Sequence, residues 1–102
     1  MERINKMLKH IVCFKLANPT DAEKLRAREI LLSMIGNVPT LRAIEVGCDF
    51  LGSPRSYDVI LQVTLDDKAA LEEYQNDPYH CLVVKTHMHA AAAASIAVDY
   101  YL

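Results

Sequence analysis

The segment from Leu8 to Leu16 alternates Leu8, His10, Val12, Phe14 and Leu16 with Lys9, Ile11, Cys13 and Lys15, the period of a strand. Its second face is not polar, because Ile11 and Cys13 stand opposite Val12 and Phe14. The same holds further on, where Ile60 stands opposite Val59 and Leu61. A sheet of such strands needs cover on both faces, and that requirement narrows the possible folds more than any other feature. A chain of 102 residues is one domain with one core, and its helices can cover only one face. A second copy of the chain is the most economical cover for the other, so a homodimer through the sheet face is expected.

Met1 to Lys6 carry no cap, periodicity or apolar partner and read as a disordered leader, with the domain over 7–102. After the first strand, Asn18-Pro19 turns the chain, and Thr20 with Glu23 forms a capping box that starts a helix at Asp21. Its strongest apolar stripe is Ala27, Leu31, Met34, Ile35 and Val38, and Gly36-Asn37 with Pro39 ends it. Ile44, Val46, Cys48 and Phe50 mark a second strand. After Gly52-Ser53-Pro54, Tyr57, Val59, Leu61, Val63 and Leu65 mark a third, antiparallel to the second. Asp66-Asp67 caps a short helix through Tyr74. Ala90 to Ala94 are strong helix formers, and Ile96, Val98, Tyr100 and Leu102 mark a terminal strand. The order β-α-β-β-α-β, with the second α split, is the α+β ferredoxin-like arrangement: one four-stranded antiparallel sheet with helices on one face.

Between the two parts of the split helix lies the stretch with most chemistry, Tyr74-Gln-Asn-Asp77-Pro78-Tyr-His80. Pro78 cannot continue the earlier helix but suits the first position of a new one, with Asp77 as its N-cap. His80 then sits in the first helical turn, where free N–H groups favour a neutral ring, and Tyr74 is held across the same corner. A phenol and a neutral imidazole so placed can polarise and deprotonate a substrate, with His10 sharing the task, or can form a buried structural pair.

Other chemistry is poorly supported. The 11 basic and 13 acidic residues nearly balance without a basic run, which argues against nucleic acid or an anionic membrane as partner. No apolar run reaches the roughly 20 residues of a membrane span, and no signal peptide is evident. Cys13, Cys48 and Cys81 lack metal spacing and read as reduced, structural thiols of a cytoplasmic protein. In an α-helix His87 falls on the His80 face about 10 Å away, too far to share a metal, and His87 with His89 reads as a solvated or capping pair. No metal and no cofactor is expected.

Leu8-Lys9-His10-Ile11-Val12-Cys13-Phe14-Lys15, Val38-Pro39 before Ile44-Glu45-Val46-Gly47, Ser56-Tyr57-Asp58, the Tyr74–His80 corner and Val98-Asp99-Tyr100 together resemble the stress-responsive A/B barrel (Dabb) domain, over about residues 7 to 102. The resemblance implies a dimeric α+β barrel of two sheets packed face to face, with any ligand cavity between the sheet and helices of one subunit. Val12, Phe14, Leu31, Val59, Leu61, Leu71, Val83 and Val84 are the apolar residues expected to line it. One branch, the olivetolic acid cyclase type, is a cofactor-free polyketide cyclase, and its strand His and corner Tyr and His match His10, Tyr74 and His80. Where that branch has aromatics on the first helix, the best-matching positions here are Ala27, Arg28 and Leu31. Leu82 and Val84 replace its glycines. Monooxygenases of similar architecture commonly use a tryptophan, which this chain lacks.

Three functions follow as expectations: a module holding a small apolar or carbonyl compound, a cofactor-free cyclase, lyase or isomerase using Tyr74 and His80, or a structural dimer without ligand.

Overall fold

The computed structural model describes residues 6–102. Strand β1 (Leu8–Leu16) is followed by α1 (Asp21–Leu32), β2 (Ala43–Cys48), β3 (Val59–Leu65) and α2 (Lys68–Asn76). A π-helical segment (His80–Lys85), α3 (Thr86–Ala91) and β4 (Ala92–Tyr101) complete the chain. The sheet is antiparallel in the order β2-β3-β1-β4. This is the expected ferredoxin-like α+β fold with its second helical unit split. The disordered leader expected over 1–6 lies, apart from Lys6, outside the described residues.

The alternation in the strands becomes a division of faces. Val59, Leu61, Val63 and Leu65 of β3 are buried against Ala27, Leu31, Met34 and Val38, with Val46 of β2 alongside. On the opposite face Ile96, Val98 and Tyr100 stay exposed, Val98 at 58 %. Ile11, Cys13 and Ile60 of the neighbouring strands are only partly buried there.

Local signals set the helix ends. Thr20 caps α1 by accepting from the Glu23 N–H at 3.2 Å. The regular helix stops at Leu32, earlier than the stripe to Val38 implies, and turns carry the chain through Gly36, whose φ of +83° is left-handed. Ile35, expected on the buried stripe, is consequently 62 % exposed, while Met34 and Val38 remain buried. The alanine run also departs from its propensity. Ala92 to Ala94 belong to β4, pairing along Leu16 and Lys15 with a register shift between those two residues. Ladder hydrogen bonds along β1 outweigh the few tenths of a kcal/mol per residue that a short helical extension offers.

One buried carboxylate secures the end of the central pair. Asp58 Oδ2 accepts from the Leu16 N–H at 2.7 Å, and the Asp58 N–H donates to the Phe14 carbonyl at 2.8 Å. Asp58→Ala leaves the Leu16 N–H without a partner and should cost about 1–3 kcal/mol. Asp58→Asn, which retains an acceptor, should cost less. Equal losses in denaturant melts of the two variants would contradict this account.

Candidate functional site

Pro78 determines the local geometry of the corner. It has no N–H to give to the Tyr74 carbonyl, four residues back, so that acceptor receives only a long backbone bond, from the Asp77 N–H at 3.3 Å. The His80 ring supplies a shorter second bond, its Nδ1–H donating to the Tyr74 carbonyl at 2.9 Å. The next carbonyl, of Gln75, accepts from Lys85 Nζ at 3.1 Å and Cys81 Sγ at 3.2 Å. Asp77 caps the new segment as expected, Oδ1 accepting from the His80 N–H at 3.0 Å. The Tyr79 hydroxyl, bonded to Ser33 Oγ at 2.7 Å, ties the corner to the end of α1.

The three residues singled out in the sequence meet. The Tyr74 and His80 rings stack with centroids 4.2 Å apart and 25° between planes, and the His10 ring meets Tyr74 edge-on at 5.7 Å and 65°. All three are buried and line a cavity of about 230 Å³ between the sheet and the split helix. Val12, Phe14, Leu31, Leu61 and Val84 are among its lining residues. Val59, Leu71 and Val83 are not. Val59 is packed in the core near the far end of β3, and Leu71 borders a separate groove with Leu8 and Tyr100.

Val83 is displaced by the π turn. A π-helix bonds i to i+5 and so takes about one residue more per turn than the 3.6 of an α-helix. From His80 onward the inward positions therefore fall one residue later, on Val84 and Met88, which are buried. Val83 turns out to solvent, and His89 borders the cavity where an α-helix would have brought His87. The same shift brings Lys85 to the lining.

Asp99 was missed in the sequence. It pairs across from His10 in the β1–β4 ladder, and its Oδ1 accepts from His10 Nδ1 at 2.5 Å. Ala97 and Ser95, opposite Val12 and Phe14, share its face and also line the cavity. These short side chains leave the space that Val and Leu fill over β2 and β3. The alternation Ser95, Ala97, Asp99 was the available signal.

Both imidazoles commit Nδ1–H to an acceptor, so each neutral ring keeps Nε2 as a lone-pair acceptor. The Tyr74 hydroxyl is buried and has no hydrogen-bond partner. Burial pushes the phenol above its ordinary pKa, as does the nearby Asp77 charge, so it remains a donor. His80 is pushed below the ordinary imidazole range chiefly by burial, with Lys85 adding to the effect. Its neutrality thus has burial as its main cause rather than the helix terminus. Among the described residues no three His, Cys, Asp or Glu are grouped to hold a metal, and no helix is long and apolar enough to cross a membrane.

Comparison with known proteins agrees with this architecture. The model of the stress responsive A/B barrel domain family matches residues 8–102. A dimeric ferredoxin-like protein of unknown function from Thermobifida fusca YX superposes with a TM-score of 0.83 at 20% identity, covering 100% of this chain and 96% of that one. A Dabb family protein from Mesorhizobium loti gives 0.79 at 21% identity, over 93% and 95%. The hydroxynitrile lyase of Passiflora edulis gives 0.79 at 12% identity, over 95% and 94%. No curated protein matches the sequence significantly.

The depressed His80 pKa has a signed consequence. As pH falls, the unfolded chain takes up the proton first, near the ordinary pKa of about 6.5, so stability is complete above that value and declines below it. His80→Gln, which can still donate to the Tyr74 carbonyl, should show a shallower decline between about pH 7.5 and 5. Parallel curves for the two proteins would contradict a neutral His80.

Proposed function

The chain belongs to the stress responsive A/B barrel domain family, and from that premise we propose that its cavity holds a small carbonyl compound whose oxygen accepts from the Tyr74 hydroxyl. One observation carries this reading: Tyr74 lines the cavity, and its hydroxyl is buried with no partner of its own. A buried donor left unmatched costs about 1–3 kcal/mol, and a carbonyl oxygen offsets that cost while apolar atoms of the ligand meet Val12, Phe14, Leu31 and Leu61. A dry cavity of about 150 Å³ takes benzene, so about 230 Å³ suits a substituted ring or a short branched chain. The free thiols Cys13, Cys48 and Cys81 fit a reducing, cytoplasmic setting.

A second reading, proton transfer at the bound carbonyl, is favoured by the His10–Asp99 bond. A carboxylate behind Nδ1 orients the ring and stabilises the imidazolium formed when Nε2 takes a proton. Tyr74 would then hold the developing enolate oxygen, with no cofactor required.

The exposed Ile96, Val98 and Tyr100 face is proposed to pack on a second copy of the chain. Solved relatives with this fold include proteins described as dimeric.

Acetophenone, a carbonyl compound with exchangeable α-hydrogens, tests both readings of the cavity. It should shift the His10 and His80 resonances of the wild-type protein and bind Tyr74→Phe at least about fivefold more weakly, the equivalent of one neutral hydrogen bond. Unchanged affinity in that variant would refute the carbonyl assignment. Deuterium uptake into the methyl group, lost in His10→Ala, would support proton transfer. Binding without any uptake would leave a binding module.

For the interface, Val98→Asp should convert a dimer to monomer at micromolar concentration in sedimentation. A wild-type chain that is already monomeric there would refute the assembly.

A further inference from the structure

Among the described residues Lys85 is the one Lys or Arg on the cavity lining, and no Asp or Glu borders it, although acidic residues outnumber basic ones in the chain by 13 to 11. Two carboxylates lie close by but outside the lining: Asp99 is occupied by His10, and Asp77, whose charge acts on Tyr74 and His80, by the His80 N–H. Lys85 is held in place. Its Nζ bonds the Gln75 carbonyl, which uses one of three N–H donors, and its charge is felt at His80. It reaches the lining because of the π turn, since in an α-helix residue 85 would point well away from the face of residue 80.

From this we infer that the cavity recognises an anionic ligand, a carboxylate, with Lys85 Nζ as the anchor at one end and the Tyr74 hydroxyl on a carbonyl oxygen at the other. The inference rests on the carbonyl-binding reading given above and adds the ligand's charge to it. A partly exposed ammonium suits this role. It presents free N–H groups beside the cavity, and the carboxylate stays partly hydrated, so neither ion meets the full cost of desolvation. His89, also bordering the cavity, adds no negative charge to oppose it.

Lys85 has a structural role as well, as donor to the last turn of α2, and the test must separate the two. Lys85→Gln retains a donor for the Gln75 carbonyl and removes the charge, and Lys85→Arg retains both. The probes are acetophenone and its meta- and para-carboxylates, the acetylbenzoates, titrated against the wild type and each variant by NMR. At least one acetylbenzoate should bind the wild type about fivefold or more tighter than acetophenone, as one partly exposed ion pair provides. Lys85→Gln should abolish that advantage while acetophenone binding stays within about twofold, and Lys85→Arg should keep it.

Acetylbenzoates binding no tighter than acetophenone, or an advantage that survives Lys85→Gln, would overturn the anionic assignment and leave the carbonyl reading standing. If acetophenone and both acetylbenzoates fail to bind, both readings fall. If an acetylbenzoate binds through Lys85 with affinity indifferent to Tyr74→Phe, the anion site stands and the carbonyl contact does not.

Discussion

The hydrogen bond from His80 Nδ1–H to the Tyr74 carbonyl exists because Pro78 cannot make the one a helix would have made. That side-chain donor, beside the longer bond from the Asp77 N–H at 3.3 Å, fixes the site. It folds the imidazole back over the Tyr74 ring, sets its tautomer so that Nε2 is free, and holds the two ends of the split helix together. Lys85 and Cys81 do the same for the Gln75 carbonyl, so the orphan acceptors of α2 are satisfied by side chains that border or adjoin the cavity. The capping of a helix and the construction of a polar site are here one set of contacts.

What remains unmatched after that arrangement is as informative as what is matched. Among the described residues two buried side-chain oxygens lack a partner: Thr40 Oγ1, in the connection from α1 to β2, and Tyr74 Oη, at the cavity. The first is not on the cavity lining. The second belongs to a cavity-lining ring that stacks on His80 and meets His10 edge-on. Short side chains on β4 keep the volume open, and Asp99 fixes the orientation of His10 below it.

The sheet, its two-sided apolar strands and the Asp77-Pro78 break were legible in the sequence because each is a local signal: a period of two, a cap, a missing N–H. The convergence of His10, Tyr74 and His80 was legible through family likeness. The π turn was not. Val83 and Val84 are the same residue, so apolar periodicity cannot tell which faces inward, and the one-residue shift that exchanges His87 for Met88 and His89 leaves no mark on the pattern. Asp99 was hidden for another reason. Its pairing with His10 depends on cross-strand register, set partly by the irregularity at Lys15 and Leu16, and alternation gives a face without giving a partner. Ala92 to Ala94 mislead by propensity, which a neighbouring strand overrides.

The central claim is that the Tyr74 hydroxyl is kept for a ligand rather than for the fold. Denaturant unfolding of ligand-free Tyr74→Phe against the wild type addresses it directly. An unmatched buried hydroxyl contributes nothing to stability, so the variant should be as stable as the wild type or more stable by up to about 1 kcal/mol. A loss of about 1–3 kcal/mol would show that the hydroxyl serves the fold through a hydrogen bond, and would contradict the account.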